Sequence, residues 1–365
     1  MTAVTANATE MVTVAMRRQR RGVAILWLLG GGLALAILLS VGWGAVYISP
    51  GQVLAILADR IGIELPWAFT HREEIVLLAI RLPRAVLGIL AGAALAVSGA
   101  ALQGLFRNPL ADPALIGVST GAALAAVSVI VLGAGLSGSL LSVFGPFLLP
   151  TAAFAGGLIT TLFVYKIANR DNRTDVATML LAGVALNAMA LAGIGLLVFI
   201  STDQQLRDLN FWLLGSLGGI TWAKLIPAMV FIVFAVVALP LLSRHLNALL
   251  LGEREALHLG IHVERTKRFI VVLAALATGA SVALTGVIGF VGLVVPHLIR
   301  LMAGPDHRVL LPGSVLLGAS LMLIADLGAR TVVLPAELPI GILTSCVGGP
   351  FFLWLLLRRR TTGSW

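Results

Sequence analysis

The sequence predicts an all-α polytopic membrane protein with ten transmembrane helices and both termini cytoplasmic. Three observations carry that expectation. Of the 365 residues, 59% are hydrophobic and only 11% are charged, and the mean hydropathy is +1.03; a soluble domain carries about a quarter of its residues as charges. Long runs at 22–58, 85–106, 113–165, 176–202, 225–243, 269–299, 309–325 and 338–357 hold no Asp, Glu, Lys or Arg, and about 20 apolar residues suffice for a helix to cross the hydrocarbon core. The basic residues behind the net charge of +9 fall mainly between these runs, where a cytoplasmic surface concentrates them. No basic soluble domain is left over to hold a nucleic acid. The single cysteine, Cys346, excludes an intrachain disulfide.

Taken in order, span one covers about 23–46, preceded by Arg17, Arg18, Arg20 and Arg21. Its length exceeds the roughly 7–15 apolar residues of a cleavable signal, so it reads as a retained helix behind a basic cytoplasmic tail, 1–22, whose first 16 residues read as disordered. Span two, about 84–104, ends at the turn-rich Phe106-Arg-Asn-Pro-Leu-Ala-Asp-Pro113. It places Gly88, Gly92, Ala96, Ala100 and Gly104 four residues apart, a smooth stripe that admits close helix approach. Run 113–165 crosses twice, with its break between Gly133 and Pro150. Spans five and six cover about 176–200 and 222–242.

Run 269–299 would be about 46 Å long as one helix, which is long for one crossing and short for two. Charge arbitrates. Two crossings leave 18 basic residues inside and 7 outside; one crossing leaves 14 against 11. The ten-span arrangement agrees better with positive-inside topology, and it requires a break near Gly289-Phe-Val-Gly292. The ten-span body is then 23–358, with a cytoplasmic loop at 243–268 and a short tail at 359–365. That loop mixes apolar and charged residues, with Gly252 and Gly260 as breakers, which suggests short amphipathic helices with an apolar face in need of a partner.

Several catalytic chemistries are excluded. None of the lysines, Lys166, Lys224 and Lys267, stands in a Gly-Lys-Ser/Thr loop, so any ATP that drives the protein binds elsewhere. No His is followed by Glu, which removes the His-Glu-x-x-His zinc motif. Gly117-Val-Ser-Thr-Gly121 matches Gly-x-Ser-x-Gly, yet it opens a membrane helix rather than a strand-to-helix elbow; small residues packing at a helix start account for it. His297 reads as a packed or capping side chain. Asp326 precedes Arg330 by four residues, and one helix face carries both. It is the one acid placed to couple ions if the protein were a secondary transporter.

The segments Arg81-Leu-Pro-Arg84, Gly92-Ala-Ala-Leu-Ala-Val-Ser-Gly-Ala-Ala-Leu-Gln-Gly-Leu-Phe-Arg-Asn-Pro-Leu-Ala-Asp-Pro113, Leu181-Ala-Gly-Val-Ala-Leu-Asn187, Gly286-Val-Ile-Gly-Phe-Val-Gly-Leu-Val-Val-Pro-His297 and Glu337-Leu-Pro-Ile-Gly341 together resemble the FecCD-type permeases. These are membrane subunits of type II ABC importers for ferric siderophores, haem and cobalamin. The resemblance implies no enzymatic activity in this chain and no cofactor bound by it. ATP and Mg would sit on partner ATPases, and haem or another iron complex would be cargo. It also implies a bacterial inner-membrane homodimer with two ATP-binding subunits and a periplasmic substrate-binding protein.

By position, Arg81, Arg84 and Arg330 match external arginines that receive acidic residues of the binding protein. Glu253, Glu255, Ala256, Leu257, Leu259 and Gly260 match the segment that seats in the ATPase. Asn108 and Leu110 match one cytoplasmic gate, and Thr174, Asp175, Val176, Ala177 and Thr178 the other. The segment from Leu206 to Gly219 looks most like the haem branch, which makes haem the expected cargo, with a siderophore or cobalamin as alternatives.

Overall fold

The computed structural model describes residues 2–44, 46–133, 144–171, 173–333 and 336–362. Among them, seven helices are long and apolar enough to cross a membrane, and three shorter apolar helices accompany them, Val118–Leu132, Val291–Ala303 and Ile340–Leu355.

Helix α1 (Thr2–Gly42) begins well before the first apolar run. The expectation of a disordered tail at 1–16 is therefore corrected: the segment before Gly22 contains neither Gly nor Pro, so nothing in it interrupts the helix extending back from the span. A short helix α2 (Pro50–Asp59) follows, closed by a capping box in which Ser49 and Gln52 bond reciprocally. Helix α3 (His71–Ile75) runs through one π-turn, Val76–Arg81, into α4 (Leu82–Phe106). Arg107 ends α4 in the left-handed region, at φ 48°.

Helix α4 is the axis of the fold, since every residue from Ala91 to Phe106 is buried. Its small residues explain how neighbours approach on more than one side. A Cβ on Gly92 would meet Gly318 O at 2.2 Å, and one on Gly99 would meet Gly292 O at 2.0 Å. Two backbones thus touch α4 where only hydrogen fits. Gly99 lies off the four-residue stripe, so close approach is not confined to one face.

Helix α5 (Val118–Leu132) follows a 3-10 turn at Pro113–Ile116 capped by Asp112, and α6 (Leu148–Ala168) returns. The expected break between them falls largely on 134–143, outside the described residues. A two-residue antiparallel ladder, β1 (Asn169–Arg170) with β2 (Arg173–Thr174), leads into α7 (Val176–Phe199). Asn169 pairs with Thr174 and Arg170 with Arg173. Then come α8 (Asp203–Leu214), α9 (Trp222–Leu241), α10 (Ser243–Leu251) and α11 (Glu253–His258).

Run 269–299 divides between α12 (Val263–Thr285) and α13 (Val291–Ala303). The division spans 286–290, slightly earlier than the expected glycines, because Gly286 at φ 70° packs under Trp212 O and Phe290 turns the chain at φ 67°. Helices α14 (His307–Thr331) and α15 (Ile340–Thr362) complete the chain, with α15 continuing past the expected boundary at 358.

The core is apolar and built around α4, α12 and α14, while α7 and α9 expose Leu181, Met189, Phe199, Val230, Phe234 and Leu241. Exposed aliphatic faces of this extent belong against lipid or another apolar surface.

Candidate functional site

Polar side chains gather at opposite ends of α4 and α14. At one end, near the start of α4, Arg84 Nε donates to Asp326 Oδ1 at 2.9 Å and Oδ2 at 3.2 Å. Its Nη1 reaches both oxygens of Glu337 at 2.9 Å. Arg330 Nε stands 3.0 Å from Asp326 Oδ2, and its Nη2 donates to Ser40 O at 3.1 Å. Asp326 thus joins α4 to α14 with its side chain only 1% exposed. The guanidinium groups of Arg84 and Arg330 face two carboxylates, which offsets the burial of those four ions. Arg81 sits beside it and donates to Val41 O at 2.8 Å, Gly42 O at 3.0 Å and Val46 O, fixing the chain that leaves α1.

The three arginines singled out by sequence are therefore brought together, but Arg81 and Arg84 are only 5% and 8% exposed. Their present partners are this chain's own carbonyls and carboxylates. Sequence spacing showed the Asp326–Arg330 pair; it gave no sign that Arg84, 242 residues away, shares the same acid. Glu337 lay inside a quoted motif without a role, and here it is the half-exposed member of the cluster, with its side chain 51% exposed. Asp326 is thus engaged by arginines of both α4 and α14 rather than left free within the membrane helices.

Other motifs meet near this end. Ser216 N donates to Thr285 O at 2.7 Å and Ile340 N to Gly215 O at 3.0 Å. A Cβ on Gly341 would strike Leu214 O at 2.2 Å. The end of α8, the break before α13 and the start of α15 are thereby sewn together by backbone.

At the opposite end, the Asn108–Leu110 turn is an Asx turn in which Leu110 N donates to Asn108 Oδ1 at 2.9 Å. The Leu110 side chain remains exposed. The 3-10 turn beyond it seats on α7: a Cβ on Gly183 would lie 1.8 Å from Leu115 O, Asn187 Nδ2 donates to Ala114 O at 3.0 Å, and Thr120 Oγ1 donates to Asn187 Oδ1. This explains Gly183 and Asn187 in the Leu181–Asn187 motif. Gly121 packs on Thr160 and Gly156 of α6, so the Gly117–Gly121 segment is a packing start.

Asp175 caps α7, accepting from Ala177 N at 3.3 Å and Thr178 N at 3.1 Å and also from the Thr178 hydroxyl. The Thr178 hydroxyl, then its amide, hold the Asp175 carboxyl below the ordinary range. Thr174 is buried, and Val176 packs partly into the core.

Between the Thr174–Thr178 segment and α11 lies a group that sequence reasoning missed. Lys267 Nζ contacts Glu253 Oε1 at 2.9 Å, Glu264 Oε1 at 3.0 Å and Thr174 O at 2.9 Å. Glu264 Oε2 in turn accepts from Thr174 N at 2.8 Å. The i, i+3 spacing of Glu264 and Lys267 was the available signal; the reach to residue 174 was not visible. On α11, Ala256 is buried, while Leu257 and, just past the helix end, Leu259 are 58% and 62% exposed. Glu255 lies close to Gly252, and Gly260 closes the turn at φ 80°.

A model of the FecCD transport family matches residues 32–358. The hemin transport system permease protein HmuU of Yersinia pestis is 49% identical over 283 residues, covering 78% of this chain and 83% of that protein. The cobalamin import system permease protein BtuC of Halobacterium salinarum is 45% identical over 312 residues, 86% of this chain and 81% of that one. The vitamin B12 import system permease protein BtuC of Escherichia coli O9:H4 is 41% identical over 356 residues, 96% of this chain and 100% of that one. A solved structure described as an inward-facing conformation of a metal-chelate type ABC transporter superposes with a TM-score of 0.78 at 33% identity, covering 92% of this chain and 99% of that one.

Proposed function

This chain belongs to the FecCD transport family, and from that premise we propose that it carries haem across the bacterial inner membrane as half of a homodimeric importer driven by two separate ATPases. It is a permease subunit of a metal-chelate type ABC importer, a transport component rather than an enzyme. In our reading the seven long helices and the three shorter apolar ones are ten crossings with both termini cytoplasmic, an arrangement supported by the division of basic residues.

The observation that carries the ATPase contact is α11. It is a one-and-a-half-turn helix anchored by buried Ala256, and it offers Leu257 and Leu259 to whatever covers it. We assign this face, with Glu253, Glu255 and Gly260 around it, to a groove of the ATPase. The Asn108–Leu110 turn and the Thr174–Thr178 segment form the cytoplasmic gate. Leu110 supplies exposed apolar bulk for closure against the second copy. The Arg81, Arg84 and Arg330 cluster receives the periplasmic binding protein. Because Glu337 is half exposed, an arriving carboxylate can replace it on Arg84 without disturbing Asp326. Guanidinium accepts such an exchange readily, since its planar fork pairs any carboxylate bidentately.

Haem is favoured as cargo by the identity to HmuU, and cobalamin is the second reading because two BtuC proteins align over longer stretches. A deletion strain grown on haem, on single ferric siderophores or under cobalamin dependence separates them. Loss on haem alone, restored by this chain, is the expected result. Normal growth on haem with loss under one of the other conditions replaces the cargo while keeping the mechanism.

A further inference from the structure

The cytoplasmic end contains a joint that neither the gate nor the coupling helix includes by itself. Lys267 is 3% exposed, and its Nζ has partners on every side. An ammonium has three donors and no acceptor, and here the three contacts go to three different pieces of chain: Glu253 at the first residue of α11, Glu264 on its own helix α12, and Thr174 O at the end of β2. Glu264 also takes Thr174 N at 2.8 Å. Both backbone polar groups of Thr174 are therefore held by one ion pair, directly before the Asp175 cap that starts α7. A charge this deeply buried remains favourable only while all its partners stay in place. Moving Glu253 therefore pulls on Lys267, and through Lys267 on the Thr174 carbonyl.

Space to move exists. An open cleft of about 920 Å³ lies beside the joint, walled by Arg173, Asp175, Arg254, Leu257 and His262 among others. Glu253 is 43% exposed in its side chain, so it is the member of the joint that a partner on α11 can displace first.

We propose that Lys267 is the positioning residue that transmits displacement of α11 to the Thr174–Thr178 gate, through Glu253 on one side and the Thr174 carbonyl on the other. The inference rests on the reading of α11 as the ATPase contact and adds the route by which that contact reaches the gate. Lys267 touches neither cargo nor nucleotide; it acts by holding Thr174 in register with α11.

The test uses the full complex, with ATPase and binding protein, in proteoliposomes, and reads cargo moved per ATP hydrolysed. Lys267→Met keeps the stem and removes the ammonium; the ratio is expected to fall at least tenfold. Lys267→Arg, which keeps the charge and donors, is expected to restore most of it, whereas a purely volumetric role would be served better by Met. Glu253→Gln leaves Lys267 paired with Glu264 and Thr174 and weakens only the link to α11, so it should lower the ratio in the same direction even if Lys267→Met fails to assemble. Spin labels on Thr178→Cys in both copies, with Cys346→Ser removing the native thiol, should change separation on ATP binding in the parent and not in Glu253→Gln.

A native ratio and a native label movement in Glu253→Gln, with the ATPase still bound, contradict the joint while leaving the α11 contact standing. ATPase retained by a Leu257→Ser, Leu259→Ser double variant contradicts the contact itself, and the joint with it.

Discussion

The Arg84 cluster, between α4 and α14, and the Lys267 cluster, at the start of α12, use the same chemistry toward different ends. In the Arg84 cluster, the central ion is an acid, Asp326, locked between two membrane helices and almost wholly out of solvent. In the Lys267 cluster, the central ion is a cation on one helix, and its acids lie on a short loop helix and a half-exposed turn of α12. The first fastens span to span. The second fastens a span to two connecting segments that water reaches. Burial of the partners, more than the count of ion pairs, separates a fixed strut from a movable joint: losing the central ion leaves buried guanidinium groups in one case and carboxylates that water reaches in the other.

That contrast is broken first at Asp326. Asp326→Ala leaves Arg84 with only Glu337 and Arg330 with only Ser40, and an uncompensated buried charge costs about 3–5 kcal/mol. The variant is expected to accumulate poorly and to melt well below the parent in detergent; melting at the parent temperature would remove the strut from the account. Lys267→Met is the matched perturbation at the other end. It orphans the Thr174 carbonyl but releases two carboxylates that can hydrate, and a loss of about 1–3 kcal/mol follows from hydrogen bonds made to a charged group. The same melting assay should rank it clearly milder than Asp326→Ala, and the reverse order would overturn the comparison.

The smallest effect is at the Asp175 cap. Its carboxyl is held below the ordinary range by the Thr178 hydroxyl and amide. The stability it contributes is present above the unfolded-state value and is lost as pH falls through the lowered folded-state value. The parent and Asp175→Asn should therefore differ most near neutral pH and converge in strong acid, read by melting across the pH range. A gap that widens on acidification would assign the cap to some other group.

Much of the architecture was legible because lipid leaves so few choices. Charge-free runs located the spans, and the distribution of basic residues required a break inside 269–299 that the structure places at 286–290. The exact turn was not legible, because it depends on Phe290 adopting positive φ under packing from distant segments. The segment 1–16 was read as disordered, whereas the lack of Gly and Pro before Gly22 allows helix to continue through it. Local pairs such as Asp326 with Arg330 could be read from helical spacing. Arg84 with Asp326 and Lys267 with Thr174 could not, since a single sequence carries no information on which distant segments become neighbours. For the same reason the three arginines were visible as a set through the family resemblance, while Glu337 as a partner of Arg84 was not.

The most direct measurement is uptake by purified permease reconstituted with its ATPase and binding protein, with haem and cobalamin offered separately. The account predicts haem accumulation that requires ATP, the ATPase and the binding protein together. Accumulation that proceeds without the ATPase, or cobalamin carried while haem is left outside, would contradict it.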